Sequence, residues 1–251
     1  MLTDKAKLKS ALRKLRQIPF DRSEFANVLM APQEMLDFLA MLAGLKPVYM
    51  LGCGFDDPTW VRGVTELAKS MGLKITAGLT WKSQPKHSDL PDWYVELLSS
   101  REGPPSSAVY ICKSRDTNAA VEDLCSRPTV TIEEEAKLLG YPVCCVADRY
   151  RGIRLMETTL YNMTLRVSGA DIDEMKRIIL EDVQMTPETS EELAAAEDLH
   201  GGAFAPFTSI SMCRKCAADP NSVAYAISAK YEALARSVDA VFADEIANGL
   251  G

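Results

Sequence analysis

Pro47-Val48-Tyr49-Met50-Leu51-Gly52-Cys53-Gly54-Phe55-Asp56-Asp57-Pro58 is the stretch that decides the fold class. From Pro47 to Leu51 it is an apolar run of strand type, and a glycine-rich turn follows. Pro58 has the fixed φ of a first helical turn, and Asp57 before it is a good N-cap residue. The segment therefore reads as strand, turn, helix. Beyond Pro58, Trp60, Val61, Val64, Leu67 and Ala68 recur at helical spacing until Gly72. A second strand is expected from Leu73 to Leu79, a helix over 91–99, a third strand from Ala108 to Cys112 and a short helix over 117–125. Strands alternating with helices predict an α/β class, with a small parallel or mixed sheet and flanking helices in the N-terminal half.

Upstream, residues 3–16 read as an amphipathic helix opening at Thr3-Asp4. A second helix runs from about Pro32 to Leu45, with Met35, Phe38, Leu39, Leu42 and Leu45 on one face. Downstream, the composition changes near Arg127-Pro128 and strand patterns stop. Thr131-x-x-Glu134 is a capping box for a helix that ends at Gly140. Pro142 opens the next helix, which continues to about Leu165. Further helices are expected over 170–183 and from Pro187 to Leu199, then a loop from His200 to about Ser211. A single long helix closes the chain from about Pro220 to Ala247. The expected division is an α/β lobe over 1–127 and an all-α, cysteine-containing lobe over 128–251.

The 251 residues are 47% hydrophobic and 25% charged, which suits globular folding rather than disorder. The formal net charge of −7 speaks against broad nucleic-acid binding, which needs a basic surface to displace counterions. Lys5, Lys7, Lys9, Arg13, Lys14 and Arg16 crowd the first helix, and a solvated face is the expected reading of that run. No apolar run approaches the ~20 residues of a spanning helix, and the N-terminus has no signal-type apolar region. A cytoplasmic protein is expected. Its partner would be a small-molecule substrate, with no nucleic acid and no membrane, and an assembly would be a homodimer. In that compartment the seven cysteines read as buried thiols, reactive thiols or metal ligands rather than disulfides.

Two cysteine pairs carry the chemistry. Cys144-Cys145 follows Pro142, so both thiols fall in a first helical turn, where free N–H groups and the helix dipole favour thiolate. Cys213-Arg214-Lys215-Cys216 has the two-residue spacing that lets both sulfurs face one ion, and its cations would offset the charge of a thiolate centre. Adjacent helical side chains diverge by about 100°, so one of the vicinal pair alone could be a ligand. Core packing of these thiols, or a redox pair at Cys213 and Cys216, are the competing readings. Four cysteines suit zinc or iron–sulfur. An iron–sulfur cluster of the 4Fe–4S type is favoured, with zinc as the alternative.

The stretch Leu138-Leu-Gly-Tyr-Pro-Val-Cys-Cys-Val146 resembles the signature of a prokaryotic family catalogued as domain of unknown function 483. Phe204-Ala-Pro-Phe207 through Cys216 is similar to that family's later paired-cysteine segment, with two residues between the cysteines where the family pattern implies three. The resemblance covers about residues 131–240 and implies shared cysteines but no particular activity.

Other candidates lie outside the pairs. Gly52 and Gly54 flank Cys53 at a strand-to-helix turn, where N–H groups converge. The turn is a candidate ligand site with Cys53 as a candidate nucleophile, or else a simple tight turn. Asp56 and Asp57 could bind metal or act as base, with one of them the expected cap. His200 precedes Gly201-Gly202 and is a candidate fourth ligand or acid/base group, or else a helix C-terminal histidine. His87, in a lysine-rich loop, is expected to be solvated. Arg149, one turn past the vicinal cysteines, could hold an anionic substrate. Three functions follow. The first is an enzyme whose open iron acts as Lewis acid in a lyase or sulfur-transfer step, with Arg149 and His200 near substrate. The second is a structural zinc protein that binds a partner. The third is a metal-free enzyme using Cys53.

Overall fold

The computed structural model describes residues 4–19, 30–52, 58–79, 89–101, 107–127, 129–200, 204–209 and 211–249. Helices dominate, and one three-stranded sheet accompanies them. Two compact units form, each discontinuous in sequence. The first comprises 1–83, 106–146 and 203–251, and the second 84–105 and 147–202. The expected lobes, 1–127 and 128–251, are contiguous stretches, whereas these units are not.

The first unit is built on β1 (Val48–Gly52), β2 (Lys74–Leu79) and β3 (Ser107–Cys112). The sheet is antiparallel, in the order β1-β3-β2, not parallel or mixed as the strand–helix alternation predicts. Val48 and Lys74 both lie opposite Cys112, so β1 and β2 run the same way, with β3 between them and reversed. The β1-helix-β2 crossover is thus split by a third strand. Its side chains show why β3 takes the centre. Ala108, Tyr110 and Cys112 are buried on one face, and Ile111 is buried on the other with Val109 half-buried beside it. A strand apolar on both sides needs cover on both sides.

Helices supply that cover. On one face lie α1 (Lys5–Leu15), α2 (Met30–Ala43), α3 (Pro58–Ser70), α11 (Val223–Val238) and α12 (Ala240–Gly249). Leu12, Phe38, Trp60, Tyr231 and Phe242 interlock there with Tyr49, Leu51 and Ile111. On the other face, Val121 and Leu124 of α5 (Arg115–Ser126) and Leu138 of α6 (Ile132–Leu139) pack on Val48, Ala108 and Tyr110. Local chemistry sets the helix ends. Asp4 caps α1, its carboxylate accepting the Ala6 N–H at 2.9 Å. Thr131 and Glu134 form the expected capping box of α6, and Gly140 closes that helix at φ 74°, a left-handed conformation that suits glycine.

The single long C-terminal helix is in fact two. Asp239 takes an extended conformation and ends α11, and its carboxylate accepts the N–H groups of Val241 (2.9 Å) and Phe242 (3.2 Å) to start α12. Between these helices and the preceding loop lies a short helix, α10 (Arg214–Ala218).

The second unit holds α4 (Asp92–Arg101), most of α7 (Val143–Val167), α8 (Ile172–Leu180) and α9 (Ser190–His200). Leu90, Tyr94 and Ile179 form its small core, and the Tyr94 and Tyr161 rings meet edge-on at 5.0 Å. Arg166 grips Glu192 with two contacts of 3.1 Å, which ties α9 to α7. Among the described residues no helix is long and apolar enough to cross a membrane.

Candidate metal centre

Four thiols from two segments of the first unit converge. Cys144 and Cys145 open α7, where the Pro142 carbonyl accepts the N–H groups of Cys145 (3.0 Å) and Val146 (3.1 Å). Cys213 is the N-cap of α10, with an extended backbone, and its sulfur accepts the Cys216 N–H at 3.4 Å. That sulfur takes the place a serine oxygen holds in an ordinary cap. The two-residue spacing therefore does two jobs: it starts a helix and leaves both sulfurs on one side.

Cys144 Sγ lies 3.5 Å from Cys216 Sγ, and Cys145 Sγ lies 3.9 Å from Cys213 Sγ. All four sulfurs fall within 4.8 Å of one another, a set that could hold a metal ion. The separations far exceed a disulfide bond of about 2.05 Å, so the thiols are free. Both vicinal cysteines join the quartet despite their divergence on the helix, because each meets a different member of the other pair.

Cys145, Cys213 and Cys216 are buried among Ala205, Met212 and Ala224, while Cys144 is exposed and forms the solvent edge. Burial pushes the Cys145 thiol far up, and it pushes Cys144 up too, aided by hydrogen bonds to Cys216 and Cys213. Burial also opposes ionisation of Cys216, but hydrogen bonds from Cys144, Cys213, Cys145 and Ser222 outweigh it and hold that thiol below its ordinary value. The Ser222 hydroxyl also donates to the Cys216 carbonyl at 2.9 Å. Soft donors in an apolar pocket match a thiophilic metal.

Beneath this cluster runs a buried polar network that the sequence reading missed. The Lys46 ammonium contacts the Asp37 carboxylate at 3.0 Å, and their side chains are 2% and 7% exposed. Ser209 donates to the same Asp37 oxygen at 2.9 Å, and the Tyr141 and Ser209 hydroxyls are 2.8 Å apart. Lys46 also sits 5.2 Å above the Tyr141 ring. Burial would push the Lys46 ammonium down, but the Asp37 charge, with Tyr141 and Tyr231, holds it well above its ordinary value. Tyr141 precedes the vicinal cysteines and Ser209 precedes Cys213, so the network joins both cysteine segments to α2. A lysine placed directly before Pro47 and a buried strand was the available signal.

Arg149 is exposed on α7, in the second unit, with no ion pair among the described residues. His200 is the last residue of α9, also in the second unit, and its side chain lies outside the described residues. Gly52 ends β1, while Cys53, Gly54, Asp56, Asp57 and His87 lie outside the described residues. No family model, curated protein or solved structure matches the chain.

Proposed function

We propose that the protein binds one zinc ion through Cys144, Cys145, Cys213 and Cys216, and that this ion fastens the segment 204–218 onto the first turn of α7. The observation that carries this reading is the compactness of the quartet, with every sulfur within 4.8 Å of the others. Zinc–thiolate bonds of about 2.3 Å in a tetrahedron place sulfurs about 3.8 Å apart. The contacts of 3.5 and 3.9 Å bracket that value. A four-iron cage between the thiolates would spread them to about 6 Å. Four thiolates also complete a tetrahedral shell, which is the mark of a structural site rather than one with an open position for substrate. Bound zinc keeps the thiols ionised and adds its binding free energy to folding.

Among its described residues that segment has little regular structure of its own. It contains one isolated bridge, between Phe204 and Ser211, and a helix of five residues. Function then lies in what this zinc-fastened α/β scaffold binds, in a reducing compartment such as the cytoplasm that keeps the thiols free. The resemblance to the uncharacterised prokaryotic family is in keeping with a shared cysteine centre.

Anaerobic purification followed by zinc, iron and sulfide analysis tests the reading, on wild type and on Cys145→Ser/Cys216→Ser. One zinc per chain in a colourless protein, lost in the variant, is the expected result. Iron with stoichiometric sulfide and a broad visible band would overturn it in favour of a cluster.

A further inference from the structure

The acidity of the chain is not shared evenly. The first unit has 20 basic and 19 acidic residues, whereas the second has 8 basic and 16 acidic. The net charge of −7 therefore resides in the second unit, and the argument from acidity against anion binding does not apply to the first. Five of the first unit's 20 basic residues line one groove. A groove of about 750 Å³ runs between α1 and the α11–α12 junction, lined by Lys5, Lys9, Arg13, Arg16 and Arg236. Among the described residues its one acidic wall residue is Asp239, which is spent on the N–H groups that start α12 and on Arg16 at 3.9 Å.

The five cations fall into two sets. Arg16 and Arg236 are already paired: Arg16 with Glu245 (2.7 Å) and over the Phe242 ring, Arg236 with Glu232 (2.8 Å) and Asp244 (3.1 Å). Lys5, Lys9 and Arg13 are exposed and form no ion pair among the described residues. They stand at four-residue intervals on one face of α1, an arrangement in which like charges repel and weaken the helix. An arriving anion would relieve that repulsion. The size suits a small ligand rather than a crease. Among the described residues no aromatic side chain lines the groove to stack a base or a sugar, while guanidinium forks match phosphate oxygens in pairs.

We propose that this groove binds a compact small molecule carrying two or more phosphate groups, with Lys5, Lys9 and Arg13 closing on it against the prearranged Arg16 and Arg236. Four of the six cations crowding the first helix are then more than a solvated face. The site is separate from the cysteine quartet and does not depend on which metal that quartet holds.

Calorimetric titration of the full-length, metal-loaded protein with inorganic pyrophosphate at fixed ionic strength tests this. Saturable binding near one per chain is expected, weakened at least tenfold in Lys9→Glu/Arg13→Glu and several-fold in the milder Lys9→Gln/Arg13→Gln. The control Lys137→Glu, at an exposed position of α6, should bind as wild type does. Circular dichroism checks that each variant is folded. No saturable heat, equal loss in the control, or equal competition by sulfate would overturn the proposal. So would a single-stranded oligonucleotide that binds through the same cations while pyrophosphate does not, since the groove would then be a nucleic-acid surface.

Discussion

Replacing Lys46 with Met probes the polar network under the cysteines. Both charges of the Lys46–Asp37 pair are almost wholly removed from water, and they meet at 3.0 Å. Removing one partner of such a pair leaves the other charge buried and costs about 3–5 kcal/mol. Two features place this site at the low end. Met retains most of the apolar stem, and Ser209 goes on donating to Asp37. A loss of about 3 kcal/mol is expected. The double variant Asp37→Leu/Lys46→Met leaves no unpaired charge, and the Tyr141 and Ser209 hydroxyls keep each other as partners. It should fall within about 1 kcal/mol of wild type, so the second change should recover about 2 kcal/mol of what Lys46→Met loses. The sign of the pH dependence follows from the raised Lys46 ammonium. Its contribution is complete below the ordinary value of 10.5 and fades only as pH rises beyond that. The Lys46 charge itself should therefore add no pH dependence to the loss in Lys46→Met between about pH 6 and pH 9. Urea titration monitored by hydrogen exchange in α2 and α11 reads the first unit alone. A single variant that loses less than about 1 kcal/mol, or a double variant as unstable as the single, would refute the account of the network as a coupled buried pair.

Two further tests address the sheet and a cap. A Cβ at Gly78 would lie 2.7 Å from Cys125 Sγ, so Gly78→Ala should cost about 1–3 kcal/mol in urea melts, and Cys125→Ala in the same chain should restore most of it. If the second change restores nothing, the clash is not the cause. Glu134 is held near 2 by the Thr131 N–H first and by the Arg127 guanidinium second, so its support of the α6 cap is present above 4.5 and lost as pH falls toward 2. A carboxyl NMR titration should show this low value and a rise in Arg127→Ala, and an ordinary Glu134 titration in wild type would refute it.

The positions of most helices and all three strands could be read from the sequence because the signals are local. Asp4, Thr131-x-x-Glu134 and Gly140 act within one turn, and the apolar run after Pro47 marks a buried strand wherever it ends up. The break at Asp239 was hidden for a related reason: apolar residues keep helical spacing through Tyr231, Ala235, Val238, Phe242 and Ile246. Only the side-chain cap at Asp239 interrupts them. The two cysteine pairs were equally visible as candidates, since residue type and spacing are properties of the chain itself.

What only the tertiary structure decided is everything that depends on distant segments meeting. The sequence shows that β1 and β2 can run in the same direction, but not that β3 comes between them, because strand order depends on which faces find cover. The convergence of Cys144 with Cys216 and Cys145 with Cys213 needs two helix starts brought together from far apart in the chain. The Asp37–Lys46–Ser209–Tyr141 network has no spacing of its own, since three separate segments supply it. The cations of α1 likewise gained a meaning beyond solubility only when the α11–α12 junction supplied the opposite wall of their groove. Local backbone and side-chain preferences are written residue by residue, whereas pairing and burial are settled by competition among all the surfaces the chain presents.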